Sequence, residues 1–149
     1  MLKILFVCTG NTCRSPMAQV LAQRLFEDNG LDFIADSAGI FATDGTAASA
    51  NAKKVVKIHY NLDLAKHSSK RVTSQIMEDS WAVLCVTAGH KTNLVANYPQ
   101  YAEKIFSFTD VCENCSDVSD PFGGDVKVYE DCAMQIKNTL DEIIWREIR

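Results

Sequence analysis

Short apolar runs alternate with amphipathic stretches along most of the chain. Continuous apolar runs of this length are typical of buried strands, and apolar positions that recur every three or four residues are typical of helices. The pattern predicts strands over 2–7, 32–37, 81–86 and 104–108, and helices over 16–29, 46–60, 74–79, 90–97 and 125–148. Strands that alternate with helices pair in parallel through right-handed crossovers, which predicts a three-layer α/β domain.

The sequence VCTGNTCRSPMA joins the first predicted strand to the first predicted helix. Ligands of parallel sheets bind beyond the carboxyl ends of the strands, so this loop is a favoured place for a site. Backbone N–H groups of 9–14 can converge on a tetrahedral oxyanion, and Arg14 adds a permanently charged donor fork. The same positive field favours the thiolate of Cys8, which predicts a nucleophile facing a bound phosphorus atom. Taken singly, a buried cysteine and a surface arginine are common structural features.

Composition limits the function classes. With 149 residues, 47% hydrophobic and 23% charged, the chain suits a single globular domain over 1–149. A net charge of −4 without a basic stripe argues against a nucleic-acid partner. The apolar run at 2–8 is too short for a signal or membrane-spanning segment, which predicts a cytoplasmic protein without a membrane partner. The six cysteines are expected as free, catalytic or metal-binding thiols rather than a disulfide framework.

The quoted loop resembles a known family motif. CTGNTCRSPMA is similar to the nucleophile loop C-x-G-N-x-C-R-S-P-x-A of the low-molecular-weight protein tyrosine phosphatases. Ser37 in DSAG and His67 in KHSSKRVT fall where that family places residues bracing the loop through Asn11 and Ser15. Asp120 in SDPFGG matches the family's Asp-Pro, whose aspartate is the general acid. The resemblance implies a flavodoxin/Rossmann-like fold, in which a four-stranded parallel sheet of order 2-1-3-4 has helices on both faces.

The resemblance also implies the roles of the site residues. Cys8 would attack phosphorus and form a phosphocysteine, while Arg14 and the loop amides stabilise the equatorial oxygens. Asp120 would protonate the leaving atom and then accept a proton from the hydrolytic water. No cofactor or metal is expected. Cys13 would be either a disulfide partner that protects Cys8 or a small filler in a tight loop. The positions expected to contact phosphate or substrate are Thr9, Gly10, Asn11, Thr12, Cys13 and Phe122.

Thr12 bears on which phosphorylated side chain is the substrate. A threonine there, with Phe122 followed by two glycines, resembles the bacterial protein arginine phosphatases of the same family. Thr12 and Asp120 can accept hydrogen bonds from a guanidinium, whereas an isoleucine would leave those donors unpaired. Phe122 could stack on a guanidinium or a phenol ring, and Thr12 could be a neutral replacement. We therefore predict a monomeric phosphatase of phosphorylated proteins that prefers phosphoarginine, with phosphotyrosine as the alternative.

Two other classes share parts of the pattern. Thioredoxin-coupled arsenate reductases have a similar loop but need further cysteines after the third strand. Cys85 lies within that predicted strand, and the next cysteine is Cys112. Cys112 and Cys115 are interpreted first as loop cysteines, then as a redox auxiliary and last as a metal site, because zinc needs two further ligands. The sequence TGNT also resembles the phosphate loop of flavodoxins, which bind FMN. A flavodoxin, however, would require neither Cys8 nor Arg14.

Overall fold

The computed structural model describes residues 1–148 of the chain. The strands are β1 (Leu2–Cys8), β2 (Phe33–Gly39), β3 (Ala82–Cys85) and β4 (Ile105–Ser107). The helices are α1 (Arg14–Asp28), α2 (Ala50–Tyr60), α3 (Ser74–Asp79), α4 (Ala88–Asn97), α5 (Phe108–Val111) and α6 (Val126–Glu142). Short 3₁₀ turns cover Pro99–Lys104 and Trp145–Glu147. All strand pairs are parallel in the order β2-β1-β3-β4, which confirms the predicted fold.

The central strand β1 explains why the first apolar run is continuous rather than alternating. Ile4 and Phe6 are fully buried in the core formed with α1, α2 and α6. Leu5 and Val7 are fully buried on the opposite face, against residues of α3 and α4. A strand covered on both faces needs apolar side chains at every position. The carboxyl ends of β1 and β3 then open on the same edge of the sheet, where the loop after β1 begins.

Capping side chains determine where several helices begin. The helix predicted over 46–60 starts only at Ala50, because the Ser49 hydroxyl accepts a hydrogen bond from the Ala52 N–H. The helix predicted over 90–97 starts earlier, at Ala88, because Thr87 acts as its N-cap. Both shifts follow from the preference of hydroxyl side chains for N-cap positions.

The predicted last helix, 125–148, is wrong at its carboxyl end. α6 stops at Glu142, and the chain then turns so that Trp145 enters the core. The Trp145 ring packs edge-on against Phe26, with centroids 4.8 Å apart, and its Nε1–H donates to the Leu140 carbonyl. Burial of a large aromatic side chain with a satisfied N–H outweighs the small propensity gain of further helical turns.

The segment between the predicted strand over 104–108 and the predicted last helix begins with one helical turn. Ser107 and Asp110 form a reciprocal capping box that starts α5 directly after β4. Beyond α5 the chain is irregular until Asp125 caps α6. None of the helices in residues 1–148 combines the length and apolar character needed to cross a bilayer.

Candidate active site

The loop after β1, residues 8–14, is called the anion loop because its backbone N–H groups can face a bound anion. Several of its carbonyl groups are bonded to neighbouring segments and therefore point away from its centre. The Cys8 and Thr9 carbonyls accept hydrogen bonds from the Ile40 and Phe41 N–H groups, at 3.0 and 2.9 Å. The Thr12 carbonyl accepts from the Ser49 N–H at 2.9 Å. With these carbonyls turned outward, the loop amides can converge on an oxyanion.

Asn11 braces the anion loop from behind. It is fully buried and adopts a left-handed backbone with φ of 57°. Its Nδ2 donates to the hydroxyl oxygens of Ser15 and Ser37, at 2.8 and 3.0 Å. Its Oδ1 accepts from the Lys70 N–H, and its own carbonyl accepts from His67 Nε2 at 2.8 Å. The side chain of Asn11 therefore braces the loop, and only its backbone N–H is directed at Cys8.

Gly39, at the end of β2, permits this close packing. A Cβ atom at Gly39 would come within 2.6 Å of the Thr9 carbonyl oxygen and 2.9 Å of the Asn11 nitrogen. Such contacts would push the anion loop off the strand end. The last residue of the DSAG motif is thus as necessary to the loop as Ser37, although only the serine was singled out from the sequence.

Cys8 lies at the end of β1, at the bottom of the anion loop. Its Sγ accepts a hydrogen bond from the Asn11 N–H at 3.3 Å and lies 2.9 Å from the Ser15 hydroxyl. These two contacts hold the sulfur in place beneath the pocket. The side chain is 3% exposed, so the sulfur is reached only through the pocket above it.

Arg14 connects the anion loop with the segment that carries Asp120, residues 112–125, which we call the acid loop. Its Nη1 donates to the Val118 carbonyl at 2.9 Å, and its Nη2 donates to the Thr9 hydroxyl at 3.4 Å. Nη2 also lies 3.9 Å from an Asp120 carboxylate oxygen. A guanidinium has five N–H donors, so others remain for an oxyanion.

One pocket of about 200 Å³ contains most of the predicted site residues. Its lining comprises Cys8, Thr9, Gly10, Thr12, Cys13, Arg14, Asp120 and Phe122. Asp120 stands at the rim with an exposed side chain, and its Oδ1 accepts from the Phe122 N–H at 3.1 Å. Phe122 is 77% exposed, which leaves its ring free to contact a substrate side chain. A thiol, a guanidinium and a carboxylate in this arrangement can bind an oxyanion, attack it and protonate a leaving group.

His90 is a site residue that the sequence interpretation missed. It is buried in the first turn of α4, with Nε2 2.8 Å from the Thr9 hydroxyl and Nδ1 2.7 Å from the Thr87 hydroxyl. Burial, and then the positive charge of Arg14, lower the pKa of His90 to about 4. A hydroxyl cap three residues before a histidine, directly after a predicted strand, was the available signal.

The second cysteine of the loop does not pair with the nucleophile in this structure. Cys8 and Cys13 are both free thiols. Cys13 Sγ lies 3.3 Å from the Tyr129 hydroxyl and 3.5 Å from the Ser49 hydroxyl. Burial, and then the contact with Cys13, raise the pKa of Tyr129 to about 12, so that its hydroxyl stays protonated. Cys85 is a buried thiol within β3, where burial raises its pKa.

Cys112 and Cys115 differ from the expectation of unpaired loop cysteines. They form a disulfide with Cα atoms 5.4 Å apart, a separation that the intervening two residues allow. Glu142 approaches the pair from α6, with a carboxylate oxygen 3.2 Å from Cys112 Sγ. Because the two sulfurs are bonded to each other, they are not a pair of thiolate ligands in this structure.

Comparison with known proteins places the chain in one family. The family described as low molecular weight phosphotyrosine protein phosphatase matches residues 3–149. The protein-arginine-phosphatase of Geobacillus stearothermophilus is 39% identical over 145 residues, which cover 95% of this chain and 93% of that protein. The structure of a low molecular weight protein tyrosine phosphatase from T. tengcongensis matches with a TM-score of 0.93 and 38% identity, over 98% of this chain and 99% of the other.

A third relative bears on the chemistry. The YwlE arginine phosphatase, solved as a cysteine-to-serine mutant with a phosphorylated active site serine, matches with a TM-score of 0.89 and 34% identity. The match covers 95% of this chain and 92% of that chain. A phosphoryl group on the residue that replaces a cysteine is the product expected of phosphoryl transfer to that position. With its sheet, its anion loop and a family match over nearly all of its length, the chain belongs to the low molecular weight phosphotyrosine protein phosphatase family and is a cysteine-dependent protein phosphatase.

Proposed function

We propose that the protein dephosphorylates arginine side chains of phosphorylated proteins, with Cys8 as nucleophile, Arg14 as phosphate ligand and Asp120 as general acid. The observation that carries the proposal is the convergence of these three side chains on one pocket. All of them come from a single chain, which supports action as a monomer and as one catalytic domain over residues 1–149. Four of the six cysteines, including the proposed nucleophile, are free thiols, which supports a reducing compartment such as the cytoplasm despite the Cys112–Cys115 disulfide.

In the first step the Cys8 sulfur attacks phosphorus and forms the P–S bond as the P–N bond to the guanidine breaks. Asp120 gives its proton to the departing nitrogen, so the arginine leaves with its nitrogen protonated. Arg14 and the amides of the anion loop bind the equatorial oxygens, where negative charge accumulates. Because the outward carbonyls already orient those amides, the loop needs little rearrangement during the reaction.

In the second step a water molecule attacks phosphorus and the P–S bond breaks. Asp120, now a carboxylate, accepts the proton of that water, which regenerates the acid. The products are inorganic phosphate and the free Cys8 thiolate. The exposed position of Asp120 at the rim is suited to both proton transfers, since either the leaving nitrogen or a water can reach it.

Thr12 supports arginine as the substrate side chain. Thr12 lines the pocket, and among residues 1–148 the hydrogen-bond partner of its hydroxyl is the Cys13 sulfur, at a long 3.7 Å. This hydroxyl is therefore available to accept an N–H of a bound guanidinium, together with Asp120. The relative from Geobacillus stearothermophilus is named a protein-arginine-phosphatase, which agrees with this preference.

Phosphotyrosine is the second candidate. Phe122 is exposed beside the pocket and can stack on a phenol ring as well as on a guanidinium. The relative from T. tengcongensis is named a tyrosine phosphatase. The deciding measurement is kcat/KM for a phosphoarginine peptide and for a phosphotyrosine peptide of the same sequence.

The wild type should prefer the phosphoarginine peptide, and Thr12→Ile should reverse the preference, because isoleucine leaves guanidinium N–H groups unpaired. Thr12→Val, which keeps the branched shape without the hydroxyl, should also lose the preference, whereas Thr12→Ser should retain it. A wild type that prefers phosphotyrosine would overturn the arginine assignment. Cys8→Ser should abolish turnover of either peptide; full activity of that variant would overturn the mechanism itself.

A further inference from the structure

A row of side chains links Arg14 to the amino end of α4. Arg14 Nη2 donates to the Thr9 hydroxyl at 3.4 Å, and that hydroxyl lies 2.8 Å from His90 Nε2. On the other side of the ring, His90 Nδ1 lies 2.7 Å from the Thr87 hydroxyl. Both ring nitrogens of a buried histidine are therefore engaged, one toward the active site and one toward its own helix.

We propose that His90 is a positioning residue for the phosphatase reaction, which acts through the Thr9 hydroxyl to orient the Nη2 edge of Arg14 toward the phosphoryl oxygens. This inference rests on the proposed role of Arg14 as phosphate ligand. It adds to that role a residue outside the nucleophile motif, contributed by the strand–helix junction after β3.

Thr9 can orient Arg14 only if its own hydroxyl is held in place by another group. Thr9 is an exposed residue, and the hydroxyl of a threonine rotates freely unless its hydrogen-bonding groups are engaged. His90 is 7% exposed and lies in the first turn of a regular helix, so its ring is a fixed partner. Between Arg14 and this ring, the Thr9 oxygen has a defined position beside the guanidinium.

The protonation of His90 is compatible with the arrangement. Its lowered pKa means that the ring is neutral at physiological pH and has one N–H. If Nε2 accepts from the Thr9 hydroxyl, both Thr9 lone pairs remain; if Nε2 donates, one remains. In either tautomer the oxygen can accept the Arg14 N–H. The charged groups that face this ring are Arg14, Asp117 and Asp120, of which the two carboxylates act against the lowering.

The competing explanation is that His90 only stabilises the start of α4 through Thr87. Two substitutions separate the explanations, because a glutamine amide reaches the place of Nε2 whereas an asparagine amide reaches only that of Nδ1. His90→Gln should keep the Thr9 contact and lose the Thr87 contact. His90→Asn should do the reverse. The backbone bond from the His90 N–H to the Thr87 hydroxyl remains in both variants.

The experiment measures kcat/KM for an aryl phosphate. His90→Asn should lower it about tenfold, the size of the neutral hydrogen bond that it removes from Thr9, and His90→Gln should stay within about threefold of the wild type. Thr9→Val should match His90→Asn, and the double variant should be no worse than either single one. Thr92→Val, which removes a hydroxyl from the exposed side of the same helix, is the control for effects on α4.

A second measurement does not depend on turnover. Inorganic phosphate should protect Cys8 from alkylation by iodoacetate, followed by mass analysis of the Cys8 peptide. His90→Asn should raise the phosphate concentration needed for protection about tenfold, and His90→Gln should not. The inference would be overturned if His90→Gln lost as much kcat/KM or phosphate protection as His90→Asn. It would also be overturned if the effects of Thr9→Val and His90→Asn added up in the double variant. Failure of phosphate to protect Cys8 in the wild type would instead overturn the proposed function.

Discussion

The two loops that form the active site are secured to very different degrees. The anion loop has its carbonyl groups bonded to neighbouring segments and a fully buried Asn11 at its centre. The acid loop is largely exposed, and Val118 bonds it to Arg14 and to the Val86 carbonyl. Asp120 itself is held less firmly, by the Phe122 N–H of its own turn and by the long approach of Arg14 at 3.9 Å.

This difference corresponds to the tasks proposed for the two loops. Stabilising charge on a phosphoryl group requires dipoles that are oriented before the reaction, because rearranging them in the transition state would raise the activation barrier. A general acid must instead meet first a leaving nitrogen and then a water molecule, at slightly different positions. A rigid loop suits the first task and an exposed, less constrained loop the second. Four predictions test this contrast.

The largest effect is expected in the anion loop, from Asn11→Ala. The substitution removes both Nδ2 bonds, leaves the Lys70 N–H without its acceptor and places alanine at positive φ. We expect a loss of about 4 kcal/mol in the free energy of unfolding, measured by urea denaturation. Asn61→Ala is the matched control, since Asn61 has φ of 54° on the exposed end of α2 and should lose only about 1 kcal/mol. Equal losses at both positions would contradict the bracing role.

In the acid loop, Asp120→Asn should affect catalysis without affecting stability. We expect kcat for a phosphoarginine peptide to fall about 100-fold, because the leaving nitrogen needs a proton. The free energy of unfolding should change by less than about 0.5 kcal/mol, since the side chain is exposed. Asp117→Asn makes the same charge change in the same loop, while its Oδ1 can still accept from the Ala88 N–H. If both variants lose activity equally, the loss reflects the charge of the loop rather than a general acid.

Acidification should weaken the packing around His90, which lies between Thr9 and the start of α4. The folded pKa of about 4 is below the ordinary value of 6.5, so the folded state favours the neutral ring. The contribution of the neutral His90 ring to the free energy of unfolding is present in full above about pH 6.5. It is lost as the pH falls toward about 4, because the unfolded chain binds a proton there before the folded protein does. From about pH 7 to about pH 5 the wild type should lose about 2 kcal/mol from this group. His90→Gln should show a correspondingly smaller loss in urea denaturation at the two pH values.

The smallest effect on activity is expected from the disulfide at the start of the acid loop. The double variant Cys112→Ser/Cys115→Ser should keep kcat/KM within about twofold, because the pair contacts Glu142 rather than the pocket. The loss in the free energy of unfolding should be less than about 2 kcal/mol, since the bond closes a very short ring. The wild type treated with dithiothreitol is the matched measurement. If the double variant or the reduced wild type lost most of its activity, the acid loop would depend on the disulfide for its active conformation and would be as constrained as the anion loop.

Local sequence determined much of the fold and the main chemical groups. The period of apolar positions predicted every strand and nearly every helix, because burial on both faces of a parallel sheet leaves a continuous apolar signature in β1 and β3. The spacing of Cys8 and Arg14 around a strand–helix junction indicated an anion site, and this signal is local too. Backbone geometry at such a junction is a local property, which a few residues suffice to specify.

Tertiary structure alone decided the contacts between residues distant in sequence. The Arg14 bond to Val118, the Thr9 contact with His90 and the Trp145 position against Phe26 all join segments far apart along the chain. The Thr87 cap could have drawn attention to His90, but no periodic or spacing signal identifies which two residues form such a pair, because partners are selected by shape and by hydrogen-bond need after the sheet has formed. For the same reason the sequence indicated that an arginine would bind phosphate, but only the fold revealed which side chains orient that arginine.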